Sequence, residues 1–167
     1  RNAVHIMKET GADGIKMEGG SEILPTVQAI IQAGIPVMAH LGLTPQSIHQ
    51  FGGYGLRAKE EQEAEKLFKD ACLLDEAGCF GITLEKVPAA LAQRVTAAVS
   101  CPTIGIGAGS DTDGQVLVYA DALGMTHGFK PKFLRYFADI EGCMTQGVQD
   151  YIQAVKNVSF PNENERY

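Results

Sequence analysis

Two acids stand in matching frames in this chain. Gly11-Ala-Asp-Gly-Ile-Lys-Met-Glu18 and Gly78-Cys-Phe-Gly-Ile-Thr-Leu-Glu85 share one spacing: a glycine, a Gly-Ile step three residues on, and a glutamate seven residues after the first glycine. Each reads as a helix-stop glycine, a short buried strand, and a carboxylate where the apolar run ends. One such Glu alone is most simply a solvated strand end. Two in the same frame, with Lys16 two residues before Glu18, point to acids at the C-terminal tips of buried parallel strands, where an α/β barrel presents its catalytic groups. His40 closes a third apolar run, Ile35-Pro-Val-Met-Ala-His40. Glu18, His40 and Glu85 would then converge on one barrel mouth, although a lone His ending an apolar strand is equally a hydrogen-bonded core residue.

Strand alternation places Lys16 and Glu18 on one face, and inside a barrel that face is the interior. A buried Lys needs an anion. The residues leave two readings open: a structural Lys16–Glu18 ion pair, or a substrate carboxylate on Lys16 with a metal ion on Glu18. A carboxylate with few other protein donors suits Mg²⁺, which keeps waters and takes oxygens from the substrate.

The elements that must carry these groups alternate. A helix over 1–10, with Ala3, Ile6 and Met7 on one face, precedes strand 13–18. A helix over 21–33 follows, with Ser21 as its cap, Pro25 in its first turn and Ile23, Val27, Ile30 and Ile31 as its stripe. Strand 35–40 leads into a long loop over 41–58, which holds at most one helical turn at 45–49 and has the character of a lid. A helix over 59–77 buries Ala64, Leu67, Phe68, Ala71 and Leu74, with the charges at 59–66 as solvated first turns. Strand 79–85, a helix from Pro88 to Val99 with Leu91, Val95 and Ala98 inward, and strand 102–107 come next. A short helix is expected from Asp113, a last short strand at 122–125, and mostly helix over 131–155. Residues 156–167 look frayed.

Helices and strands at this spacing mean parallel strands with helical crossovers. Periodicity alone allows a doubly wound sheet or a barrel. A full barrel needs eight strands and roughly 250 residues, and about five strands are visible here. Residues 1–167 are therefore expected to form a single domain, the C-terminal part of one (β/α)8 barrel. The opening at Arg1 reads as the later turns of a helix already under way, so a longer parent chain is expected.

Composition excludes several classes. A net charge of −6 without a Lys/Arg cluster argues against a nucleic-acid partner. No apolar run reaches the ~18 residues of a membrane span. Cysteines 72, 79, 101 and 143 form no CxxC pair and read as reduced thiols. Gly105-Ile-Gly107-Ala-Gly109 suggests either a phosphate cradle or tight strand–helix packing. Asp111 and Asp113 lack the rest of a calcium loop.

Seven segments, in order, carry a resemblance: Lys16-Met-Glu-Gly-Gly20, His40-Leu-Gly-Leu-Thr-Pro-Gln-Ser47, Phe51-Gly-Gly-Tyr54, Leu84-Glu-Lys-Val-Pro88, Ile104-Gly-Ile-Gly-Ala-Gly109, Asp113-Gly-Gln115 and Pro131-Lys-Phe133. Together they resemble the ketopantoate hydroxymethyltransferase family across nearly the whole chain. The resemblance implies a (β/α)8 barrel of the phosphoenolpyruvate/pyruvate type. It implies transfer of a hydroxymethyl group from 5,10-methylenetetrahydrofolate to α-ketoisovalerate, giving ketopantoate for pantothenate synthesis through a Mg²⁺-stabilised enolate. It also implies a cytoplasmic homo-oligomer, often a decamer. By motif, Glu18 resembles the magnesium-ligand glutamate, Lys16 a residue binding the keto acid, His40 a histidine lining the site and Glu85 the general base.

The chain departs from the family's pattern in three places. Two aspartates and a serine of the family's metal site have no counterpart within it. Gly55-Leu-Arg-Ala-Lys59 replaces a Val-Gln-Gly-like stretch, and Ala120 stands where the family carries His. Two rival readings stay open. One is a Mg²⁺-dependent keto-acid C–C lyase of the same superfamily, although the Lys-x-Cys-Gly-His motif of such enzymes is missing. The other is a non-catalytic incomplete barrel.

Overall fold

The computed structural model describes residues 1–126, 128 and 130–167. They form two compact units, Arg1–Val116 and Leu117–Tyr167.

The first unit alternates as the sequence predicts. Helix α1 (Asn2–Thr10) stops at Gly11, whose φ of 67° is the left-handed cap. Strand β1 (Ile15–Glu18), helix α2 (Leu24–Gln32) and strand β2 (Val37–Gly42) follow. A 3-10 turn at Pro45–Ser47 and the one-turn helix α3 (Ile48–Phe51) interrupt the long loop. Then come α4 (Glu61–Glu76), β3 (Gly81–Glu85), α5 (Ala89–Ala98), β4 (Thr103–Ile106) and β5 (Gly114–Gln115).

The strands lie in the order β1-β2-β3-β4-β5, and every adjacent pair is parallel. A doubly wound sheet reverses its order at a switch point. An order that never reverses sends each crossover the same way and keeps the helices on one face, which is the (β/α) barrel pattern. The fold is α/β of that type, present here as five consecutive strands among the described residues.

Registry separates the two faces. Val37, Ala39, Leu41, Ile82 and Leu84 are buried together with Val27, Leu67, Ala71, Leu74, Leu91, Ala92 and Val95 of the helices. Full burial of one such side chain contributes about 1.5–3 kcal/mol, so this layer fixes which strand face meets the helices. The opposite face is left to Lys16, Glu18, Met38, His40, Thr83 and Glu85.

Several expectations need correction. Ser21 does not cap α2. The helix begins at Leu24, and the Ser21 N–H instead donates to Asp70 Oδ1 at 3.1 Å. Ile6 is 45 % exposed, and Ala98 faces solvent while Ala92 is buried. The charges of 59–66 are not all free in solvent: Glu63 pairs with Arg57, Glu65 with Arg94 and Lys66 with Glu22 and Asp70. Asp113 starts no helix. Its carboxylate accepts from Thr103 N–H (2.8 Å) and Thr103 Oγ1 (3.0 Å), which draws Gly114–Gln115 alongside β4 as the fifth strand.

In the second unit the strand expected at 122–125 is not formed: α6 (Tyr119–Ala122) ends there, and Gly124 at φ 66° completes the turn that follows it. Helix α7 covers Ile140–Lys156 only. Upstream, Phe137 N–H donates to Ala122 O (2.7 Å) and Ile140 N–H to Leu123 O (3.1 Å), so these donors are not available to a helix running from residue 131. Asp139 then caps α7 by accepting from Gly142 N–H at 2.9 Å. No helix of the described residues is long and apolar enough to cross a membrane.

Candidate active site

The parallel register brings the strand-end groups side by side. Glu18 pairs in register with His40, and Gly42 with Glu85. On one sheet face this places His40 between the two acids. Its Nδ1 lies 3.8 Å from Glu18 Oε1, and its Nε2 lies 3.2 Å from Glu85 Oε2. The imidazole side chain is 2 % exposed, and the Glu18 and Glu85 side chains are 10 % and 19 % exposed. Neither imidazole nitrogen is aligned for a hydrogen bond, despite the short Nε2 distance. A buried polar ring without a bond is destabilising by roughly 1–3 kcal/mol. Such a group persists where the site needs it.

Each neighbour of this trio is fixed by backbone. Glu18 Oε2 accepts from Gln46 N–H at 2.9 Å, and His40 O accepts from Gly19 N–H at 3.2 Å. Gly42 sits at φ 91°, and a Cβ there would overlap the carbonyl of Glu85. Only glycine allows β2 to approach the tip of β3 this closely. A cleft of about 650 Å³ opens beside the trio, lined by Glu18, His40, Gly42, Thr44, Phe51 and Arg57 among others.

Lys16 is exposed on the same face and, among the described residues, makes no ion pair or hydrogen bond. The structural Lys16–Glu18 pair is therefore not formed, and the ammonium is open to an anion. Gly105 within β4 and Gly109 after it are occupied by packing rather than arranged as a cradle. Thr112 Oγ1 lies 2.6 Å from where a Gly105 Cβ would stand, and Ala89 fills the place beside Gly109.

Sequence reasoning missed a cluster on the flank of the cleft. Asp70, 4 % exposed, accepts from Ser21 N–H and pairs with Lys66. Lys66 also donates to Glu22 at 3.2 Å, and Glu22 accepts from Gly20 N–H at 3.0 Å. The Gly20 amide, with Lys66 beside it, holds the Glu22 carboxyl below its ordinary range. Burial pushes the Lys66 ammonium down, but its bonds to Asp70 and Glu22 outweigh that and raise it on balance. Together these residues clamp the turn that follows Glu18. The signal was present in the sequence: Asp70 falls on the apolar stripe of α4, between Leu67 and Leu74.

As to metal binding, no group of three His, Cys, Asp or Glu among the described residues could hold an ion. Glu18 offers a single carboxylate at the edge of the cleft. A single carboxylate is the least that Mg²⁺ uses, since the ion binds through one or two carboxylates and fills its other positions with water and substrate oxygens, so Glu18 alone would hold it weakly.

The fold and the trio define a (β/α)-barrel protein with a carboxylate–imidazole–carboxylate site at the C-terminal ends of its strands. Residues 1–163 match the family described as ketopantoate hydroxymethyltransferase, and the chain belongs to that family. A protein of Bacteroides fragilis named 3-methyl-2-oxobutanoate hydroxymethyltransferase is 59 % identical over 166 residues, 99 % of this chain and 61 % of that protein. Proteins of the same name from Bacteroides thetaiotaomicron (99 % of this chain) and Christiangramia forsetii (100 %) are each 58 % identical, again with 61 % of their length covered. The chain thus spans about 61 % of the length of the curated relatives it matches. Among solved structures, the YdjI aldolase of Escherichia coli K12 aligns at 18 % identity with a TM-score of 0.41, over 71 % of this chain and 49 % of that one.

Proposed function

We propose that this chain carries the acid–base half of a ketopantoate hydroxymethyltransferase. The reaction moves a hydroxymethyl group from 5,10-methylenetetrahydrofolate to α-ketoisovalerate, giving ketopantoate and tetrahydrofolate. The observation that supports this best is the placement of His40 between Glu18 and Glu85 at the tips of three neighbouring strands. Family membership and the names of the relatives support the substrate assignment.

The roles follow from chemistry and position. Lys16, unpaired on the site face, receives the keto-acid carboxylate. Glu18 is the residue that would hold Mg²⁺. When bound, the ion would polarise the substrate's keto oxygen and make the neighbouring C3–H more acidic. Glu85 takes the C3 proton, for which its carboxylate must come within about 3 Å of that hydrogen's carbon and be ionised. The C3 electron pair then forms the new bond to the one-carbon unit as that unit's bonds to the two folate nitrogens break, with water supplying the hydroxyl oxygen and tetrahydrofolate leaving. His40 lines the site beside the Glu85 carboxylate, with its Nε2 3.2 Å from Oε2. The strap over 43–57 excludes water from the carbanion equivalent. The protein is proposed to act in the cytoplasm as a homo-oligomer.

The deciding measurement is exchange of the C3 hydrogen of α-ketoisovalerate for deuterium in D₂O with Mg²⁺ and no folate, followed by NMR. Exchange is expected in the wild type and should be lost in Glu85→Gln. Exchange that persists in Glu85→Gln would remove Glu85 as the base. A folded wild type without any exchange would sink the whole reading.

A further inference from the structure

The strap of residues 43–57 leaves β2 and rejoins the chain ahead of α4, and its two ends are bonded to adjacent carbonyls. Leu43 N–H donates to Glu85 O at 2.8 Å, and Arg57 N–H donates to Lys86 O, also at 2.8 Å. Lys86 N–H donates in turn to Ile106 O at 2.9 Å. The Lys86 side chain reaches back to the strap, where its Nζ donates to the Tyr54 carbonyl.

Lys86 stands at φ 48°, a conformation that a lysine rarely adopts. Such strain persists only where surrounding bonds over-determine it. Here the bonds are those of the strap and β4. Within the strap, Gly52 and Gly53 have φ of 71° and 136°, and nothing lies within 4 Å of a Cβ built on either. The tip is therefore not packed, and the Lys86 ammonium is its tie at the Tyr54 end. Arg57, stacked 3.9 Å over the Phe51 ring and paired with Glu63, closes the strap's return.

We propose that Lys86 is a positioning residue: its ammonium latches the strap through the Tyr54 carbonyl, and the latched strap holds the Glu85–Lys86 backbone in the conformation that aims Glu85 at His40. The inference deepens the reading of Glu85 as a base and rests on it for its kinetic arm alone. Lys86 touches no reacting atom in this scheme.

The test compares Lys86→Met, which keeps the stem and loses the charge, with Lys86→Arg, which keeps a cation. Amide hydrogen exchange over residues 52–57 is read by mass spectrometry beside C3-exchange kinetics. Loss of one charge-assisted bond should speed exchange of the strap amides by about tenfold or more, while β3 stays protected. Misaiming Glu85 should lower kcat by about tenfold or more, with KM for the keto acid nearly unchanged. Lys86→Arg should restore both. Unchanged strap protection in Lys86→Met would overturn the latch. A loosened strap with unchanged kcat would overturn the positioning role. If Lys86→Met does not fold, Lys86→Gly, which adopts the left-handed backbone without strain and also lacks the latch, gives the same comparison. A wild type without C3 exchange would defeat the base assignment instead, and strap protection would still decide the latch.

Discussion

The carboxylate of Asp70 occupies the space that a Cβ on Gly20 would take, and it accepts the N–H of Ser21 at 3.1 Å. One acid on α4 thereby shapes the turn two residues beyond Glu18. Asp70→Ala should destabilise the protein by about 2–3 kcal/mol, because it removes hydrogen bonds made by a charged group. Asp70→Asn, which can still accept from Ser21, should lose less. Urea unfolding of the two variants checks the order, and equal losses would show that the amide contact is immaterial.

His40 is predicted to trade stability for chemistry. Its buried ring nitrogens have no hydrogen bonds, so His40→Leu, close in volume and apolar, should raise stability by about 1 kcal/mol. The same change should abolish C3 exchange. Calorimetry and NMR on one preparation give both numbers, and a destabilised His40→Leu would mean that the imidazole is bonded in solution.

Acid should weaken the junction between α5 and β4. Burial alone would raise the Asp75 carboxyl, but bonds from Ser100 N–H and Cys101 N–H, both 2.9 Å, outweigh it and hold the carboxyl below its ordinary value of 3.8. A carboxyl depressed in the folded state contributes stability that is complete above its unfolded value and is lost as pH falls through the folded one. The wild type should therefore lose stability below about pH 4 more steeply than Asp75→Asn. Parallel slopes in thermal melts from pH 5 to pH 2.5 would count against this assignment.

The thiols should separate by reactivity. Burial, with Asp75 beside it, pushes the Cys101 thiol up to about 12, and burial also raises Cys79. Cys143 is exposed on α7. Iodoacetamide at pH 8 should modify Cys143 well before Cys79 or Cys101, since the thiolate is the reacting species. Peptide mass mapping over time reads the order, and early labelling of Cys101 would contradict it.

Much of this architecture is legible in the sequence up to about residue 107. There the strands are continuous apolar runs, glycines stop α1 and follow closely on α2 and α4, and the repeated frame around Glu18 and Glu85 fixes where the strands end. The convergence of Glu18, His40 and Glu85 follows from parallel register once those ends are placed. Beyond residue 107 the signal fails for physical reasons. Gly114–Gln115 is a two-residue strand specified by the Asp113–Thr103 bonds rather than by apolar periodicity. Phe137 and the first two residues of α7 have their amides bonded to residues 122–124, a choice that no local pattern encodes. Lys86 was equally invisible, because a positive φ on a lysine is imposed by its surroundings and leaves no compositional mark.

The attachment of the strap has a consequence for how this scaffold can change. Because Leu43 and Arg57 are bonded to neighbouring carbonyls, the segment between them is a closed loop with both ends tied to the tip of β3. Lengthening such a loop is inexpensive, since each doubling adds only about 0.6 kcal/mol of closure entropy. Length can be added at the Gly52–Gly53 tip, where nothing packs against either residue, and the reach of the cleft retuned, while the Gln46 amide on Glu18 and the Tyr54 carbonyl on Lys86 are kept.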